Sequence, residues 1–211
     1  MRLAVIGGSF NPVHVGHMAL ARAVRERAGY DRVLFIPAAS PPHKELSPGA
    51  NDANRLDMLR LAVAELNADG GVGPWSDVDD CELVRGGVSY TIDTIRALKA
   101  RYSARIEGKI ALVIGLDLVP GFSRWREPDA LSREADILLA LRPGEEDASF
   151  PYPHRVLEGP LVEASSSAVR AAIRETEVNG AEGRDGAPGW ASLVPASVYR
   201  YITERGLYAA R

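Results

Sequence analysis

The sequence predicts a doubly wound α/β fold with a mostly parallel, Rossmann-like sheet, and three observations carry that expectation. Short apolar runs of strand length recur along the chain, as in 2–7 (RLAVIG), 109–114 (KIALVI) and 136–141 (DILLAL). They are nearly continuous rather than alternating, which is the pattern of strands covered on both faces. Segments of helical periodicity separate them, as in a parallel sheet wound by right-handed crossovers.

The elements follow in chain order. Residues 2–7 read as a buried strand, broken by Gly7-Gly8, and the segment after His14 as a helix ending near Ala28-Gly29, where Gly29 suits a C-terminal cap. A second strand covers 32–37 and stops at Pro37; 40–52, rich in Ser, Pro, Gly and Asn, reads as a loop. A helix is expected over 53–67, with Leu56, Leu59, Val63 and Leu66 on one stripe. A strand is expected over 78–84, and a helix over 90–102 with Ile92, Ile95, Leu98 and Tyr102 inward. Strands at 109–114, 136–141 and 154–158 and helices near 166–175 and 196–205 complete the chain. The whole reads as a single domain over 1–211, with a Gly-rich, charged insertion at 178–189 expected to be disordered. Ligands of such sheets lie beyond the carboxyl ends of the strands. That rule gathers Gly7–His17, Pro37–Lys44, Gly115–Asp117 and Arg142–Gly144 on one rim.

Composition narrows the function. The chain has 211 residues, 46% hydrophobic and 25% charged, enough to bury one sizeable core. Its net charge of −3 argues against a non-specific nucleic-acid binder. A lone cysteine, Cys81, excludes an internal disulfide and a multi-cysteine zinc site. No apolar run approaches the roughly 20 residues needed to span a bilayer, and the opening run is too short for a secretory signal. A cytoplasmic location without a membrane partner is the expectation; a homo-oligomer is left open.

The segment Gly7-Gly8-Ser9-Phe10-Asn11-Pro12-Val13-His14-Val15-Gly16-His17 bears the most chemistry. Two glycines directly after a strand allow close backbone approach to a ligand. A helix starting near His14–Gly16 turns its free N–H groups toward anionic oxygens. His14 and His17, three apart, neighbour one another on its first turn, with Gly16 leaving space between them. The combination reads as a phosphate cradle with two imidazole donors. The bland alternative is a strand–turn–helix with two capping histidines.

This segment resembles the signature of the nucleotidyltransferase superfamily with the HxGH motif, here His14-Val15-Gly16-His17. Its opening GGSFNPVH resembles the nicotinate-nucleotide adenylyltransferase family in particular. Further motifs extend the resemblance over nearly the whole chain: Pro41-Pro42-His43-Lys44, the run Arg55–Leu59, the long segment Asp80–Thr94 with its SYTIDT, and Gly115-Leu116-Asp117 followed by Phe122 and Trp125. Ser165-Ser166-Ser167-Ala168-Val169-Arg170 and the ending Gly206-Leu207-Tyr208 also fit. Ser167 stands where the family usually has threonine, and Asn11 where aspartate is common.

The resemblance implies transfer of AMP from ATP to nicotinic acid mononucleotide, giving deamido-NAD and pyrophosphate. It implies catalytic roles at the phosphates for His14, His17, Arg170 and Lys44. ATP would be bound by Gly7, Gly8, Ser9, Phe10, Gly16, Gly115, Asp117, Ser166 and Ser167. Asp117 would accept from ribose hydroxyls, its bland alternative being a helix N-cap. The nicotinate nucleotide would meet Thr91, Trp125, Arg126 and His43, with backbone amides near Thr91 and Arg126 on its carboxylate. Mg²⁺ would arrive with ATP, held by phosphates and water and by no protein cage. Glu82 and Asp93 lie on different expected elements and are not an acid/base pair; Trp75, Trp190 and Cys81 read as structural. Rival readings are a sister enzyme acting on nicotinamide mononucleotide, phosphopantetheine or another phosphorylated acceptor, and a non-catalytic nucleotide-binding regulator on the same fold.

Overall fold

The computed structural model describes residues 1–42, 47–69, 73–141, 145, 150–157, 162, 164–179 and 188–209. The expectations for His43, Lys44 and Arg142–Gly144, and most of the 178–189 insertion, fall outside them.

Six strands form one sheet in the order β3-β2-β1-β4-β5-β6: β1 Leu3–Gly8, β2 Arg32–Pro37, β3 Ser76–Val78, β4 Ile110–Gly115, β5 Ala135–Ala140 and β6 His154–Leu157. Every neighbouring pair is parallel. Alternate residues of β1, β2, β4 and β5 feed two different cores. Ala4, Ile6, Val33, Phe35, Ala111 and Val113 pack on one face. Leu3, Val5, Leu34, Ile36, Leu112 and Ile114 pack on the other. Burial on both faces explains why the strands read as apolar runs without alternation.

The helices are α1 Val15–Glu26, α2 Asp52–Ala68, α3 Cys81–Arg85, α4 Thr91–Tyr102, α5 Pro128–Glu134, α6 Ser166–Asn179 and α7 Ala196–Arg205. Side-chain chemistry sets several ends. Asn51 Oδ1 accepts from Asn54 N at 2.8 Å to start α2, and Ser165 Oγ accepts from Ala168 N at 3.1 Å to start α6. Glu65 on α2 accepts from Ala196 N and Ser197 N and so caps α7. The Ser197 bonds also help hold the Glu65 carboxyl below the usual range, against a desolvation that raises it.

Three expectations need correction. The strand expected over 78–84 ends at Val78, and Cys81–Arg85 is helical. Asp79 is the cause: its carboxylate accepts from Cys81 N at 3.0 Å, and Val84 N then bonds Asp80 O at 2.9 Å. Cys81 is accordingly half-buried in a helix rather than in a strand. On α2 the expected Leu59, Val63 and Leu66 are buried, together with Arg55, Met58 and Ala62, but Leu56 lies at the flank of the stripe. Finally, α6 continues to Asn179, so the stretch expected to be disordered begins inside a helix. Sequence periodicity also missed α5 and the 3₁₀ turns Leu116–Arg124 and Gly189–Leu193, each too short to show a repeat. Trp75 and Trp190 are core residues, as expected.

Candidate active site

The carboxyl ends of β1 and β4, at the centre of the sheet, open onto a cavity of about 280 Å³. Gly7, Gly8 and Ser9 line it from β1, Ala38, Pro41 and Pro42 from the end of β2. Ser89, Tyr90, Thr91 and Thr94 close another wall, and Trp125 and Arg126 a third. Gly7, Gly8 and Ser9 of the expected nucleotide loop thus share one space with Thr91, Trp125 and Arg126, whereas His14, His17, Asp117 and Arg170 do not line it. Gly7 has open space where a Cβ would stand, so its backbone is bare toward a ligand.

The histidines stand where their spacing put them. His14 is the N-cap of α1 and His17 its third residue, with ring centroids 3.7 Å apart. The two bond reciprocally: His17 N donates to His14 O at 3.0 Å, and His14 N donates to His17 Nδ1 at 3.2 Å. An Nδ1 that accepts leaves the proton on Nε2, which is then the ring's donor. Burial, and next the charge of His14, hold its pKa well below the ordinary value, so the ring stays neutral. Gly16 gives the pair room, since a Cβ there would stand 3.0 Å from His14 Nδ1 and press on the ring. Phe10 supports them from beneath. Its ring is buried, 4.9 Å from His17 and 5.9 Å from Phe35, on a backbone with φ of 45°.

The start of α6 docks against the same loop. Ser166 Oγ donates to Pro12 O at 2.8 Å. Arg170 donates from Nη1 to Asn11 O at 2.6 Å and from Nη2 to Ser47 Oγ at 3.0 Å and Ser167 Oγ at 3.2 Å. Ser167 itself is exposed. Asp117 is exposed beyond β4 on the second residue of its 3₁₀ turn; Gly115 is the N-cap there, so the capping alternative does not apply. Any Cβ at Gly115 would overlap Asp117 Oδ1, which ties that glycine to the carboxylate's position.

In the wall expected to meet the nicotinate nucleotide, Trp125 is half-buried and 5.0 Å from Phe122. Arg126 stacks over Tyr90 at 4.7 Å and pairs with Asp93 at 3.5 Å. Thr91 is the first residue of α4, so its N–H precedes the helix's own bonds, which Asp93 and Thr94 make to Tyr90 O. Glu82 and Asp93 do lie on different helices. Glu82 is buried, and its Oε1 accepts from Thr94 Oγ1 at 2.6 Å.

Several supporting residues lay in the quoted motifs but were given no role by the sequence reading. Arg55 is fully buried; it donates to Ser9 O at 2.6 Å, Ala38 O at 2.7 Å and Asp52 Oδ1 at 2.7 Å. It therefore ties the loop after β1 to the loop after β2. The available signal was its place on the apolar stripe, at i to Met58, Leu59 and Ala62. Ser89 joins the second loop to the nicotinate wall: its Oγ accepts from Ala39 N at 2.9 Å, its N donates to Ser40 O at 2.9 Å, and Ser40 and Val88 form an isolated parallel bridge.

The cytidylyltransferase-like family model matches residues 5–172. A Treponema pallidum protein named "Probable nicotinate-nucleotide adenylyltransferase" is 39% identical over 220 residues, spanning 99% of each chain. This chain belongs to that adenylyltransferase family. A Borreliella afzelii protein of the same name is 34% identical, over 100% of this chain and 98% of its own. In fold, the chain is similar to Plasmodium falciparum nicotinic acid mononucleotide adenylyltransferase complexed with NaAD. The TM-score is 0.73 at 17% identity, covering 98% of this chain and 97% of that one.

Proposed function

We propose that the protein transfers AMP from ATP to nicotinic acid mononucleotide, releasing pyrophosphate and forming deamido-NAD, a step of NAD biosynthesis. The observation that carries the reading is the shared cavity, in which the bare Gly7–Ser9 backbone faces Thr91, Trp125 and Arg126. The full-length relatives of that name support it.

A phosphate oxygen of the mononucleotide attacks the α-phosphorus in line. The bond from that phosphorus to the bridging oxygen breaks, and pyrophosphate leaves with the electron pair. Such a transfer needs positioning and charge stabilisation rather than a protein nucleophile. His17 donates from Nε2 to a phosphate oxygen while remaining neutral, and His14 beside it is assigned the same role. Arg170, Ser166 and Ser167 meet the phosphates from the start of α6, and Gly8 and Ser9 lend backbone amides. Asp117 accepts from ribose hydroxyls. Trp125 stacks on the pyridine ring, and the Thr91 N–H receives its carboxylate. Lys44 and His43, following the cavity residues Pro41 and Pro42, are assigned to the phosphates and the mononucleotide on the resemblance alone. Mg²⁺ would neutralise triphosphate charge. Phosphates and water are its expected ligands. Among the described residues no helix is long and apolar enough to cross a membrane.

The test is pyrophosphate release with ATP and a panel of acceptors. Nicotinic acid mononucleotide should turn over, and be preferred to the amide by at least about tenfold in kcat/KM, because an amide NH₂ set against a backbone N–H leaves a donor unpaired at about 1–3 kcal/mol. Turnover with another acceptor only, such as phosphopantetheine, rejects the reading; equal values for acid and amide reject the selectivity alone.

A further inference from the structure

The C-terminal end of the chain returns to the catalytic rim. α7 stops at Gly206, whose φ of 57° turns the backbone, and Leu207 N bonds Ile202 O at 3.1 Å. Tyr208 follows with a φ of 68° and is only 4% exposed. A non-glycine residue keeps a left-handed backbone only where its surroundings over-determine it. Here the ring lies on Gly49, where an added Cβ would come within 2.5 Å of Tyr208 Cδ1. Its hydroxyl donates to Asn11 Oδ1 at 2.7 Å in a buried bond. Burial pushes the phenol above its usual range, which keeps the proton on that donor.

Asn11 passes the constraint on. Its Nδ2 donates to Ser47 O at 2.7 Å, and Ser47 Oγ accepts from Arg170 Nη2 at 3.0 Å. Arg170 Nη1 closes the ring on Asn11 O at 2.6 Å. A ring on Gly49 needs only shape, which phenylalanine would supply. The hydroxyl adds something different: it donates to Asn11 Oδ1 in the one of the two amide orientations that Ser47 O, an acceptor only, allows. In the other, Oδ1 would face Ser47 O, and two acceptors would meet.

We propose that Tyr208 is a positioning residue for AMP transfer, which fixes Asn11 and, through Asn11 and Ser47, the β1–α1 loop and the Arg170 guanidinium. This rests on the adenylyltransferase reading above. It makes the end of the chain part of the working site, although it touches no substrate.

Tyr208→Phe keeps the ring and removes one hydroxyl. Expected is a roughly tenfold fall in kcat, with KM for ATP and mononucleotide changed less than about twofold, assayed well below the variant's Tm. In a cycle with Ser47→Ala, the combined loss in kcat should be smaller than the product of the two single losses, because both act on one network. Amides of residues 9–14 should also exchange hydrogen about tenfold faster in Tyr208→Phe, a readout that needs no turnover. An unchanged kcat, independent losses in the cycle, or unchanged exchange overturns the proposal. If Tyr208→Phe does not fold, Asn11→Ala removes both the acceptor for Tyr208 and the donor to Ser47. A lower kcat at retained KM supports the network there, and wild-type kcat overturns it. Wild-type protein that transfers no AMP to the mononucleotide rejects the function instead, and the exchange measurement still decides on Tyr208.

Discussion

His17 carries two consequences of one hydrogen bond. Its Nδ1 is committed to His14 N, so its value to a phosphate is the single proton on Nε2. His17→Ala should lower kcat/KM about a hundredfold, roughly 2.7 kcal/mol of transition-state stabilisation, with steady-state pyrophosphate release as the measurement. Acidification acts on the same ring through stability. The folded pKa is depressed, so below an unfolded value of about 6.5 the unfolded chain binds the extra proton and the native state does not. Stability contributed by neutral His17 is therefore complete above that pH and lost as pH falls below it. Tm should drop between pH 7.5 and 5.5, and drop less in His17→Gln; equal drops in the two proteins would refute the linkage. The spacing of the two histidines was legible in the sequence. The tautomer was not, because it depends on a backbone N–H aimed by the turn at Phe10–His14.

At the scale of elements, the rim is assembled by side chains that reach from helices back to loops. Arg55 on α2 is the clearest case, holding Ser9 O and Ala38 O from a fully buried position. Arg55→Met fills similar volume but strands both carbonyls, at about 1–3 kcal/mol each. We expect about 2–4 kcal/mol of lost stability in urea unfolding, with a raised KM for ATP as the two loops part. Periodicity found α2 and its apolar character, yet it put the stripe through Leu56, since a rule for apolar faces gives an arginine no place in one. The same rule ran a strand over 78–84, because Leu83 and Val84 look like core; Val84 is 79% exposed. Side-chain bonds to the backbone at Asp79 decided that segment, and a hydropathy pattern does not register them.

For the whole molecule, the strand order and the rim were legible because apolar strand runs and crossover handedness leave few arrangements. What the sequence hid was long-range closure, such as Tyr208 on Asn11, 197 residues apart. A ligand bound at this rim contacts loops from several strands and is linked to the stability of the whole fold. A non-hydrolysable ATP analogue at about 100 times its Kd should add about 2.7 kcal/mol and raise Tm by roughly 5–10 °C in a scanning fluorescence melt; an unshifted melt would mean the rim does not bind it. The small bridge between Ser40 and Val88, with Ser89 beside it, has one more effect. It joins the backbone of 38–40 to that of 88–89, so a ligand that orders one of these walls would also order the other. A second ligand would then meet a surface with less conformational entropy left to lose, which is cooperativity between two ligands without any change of shape.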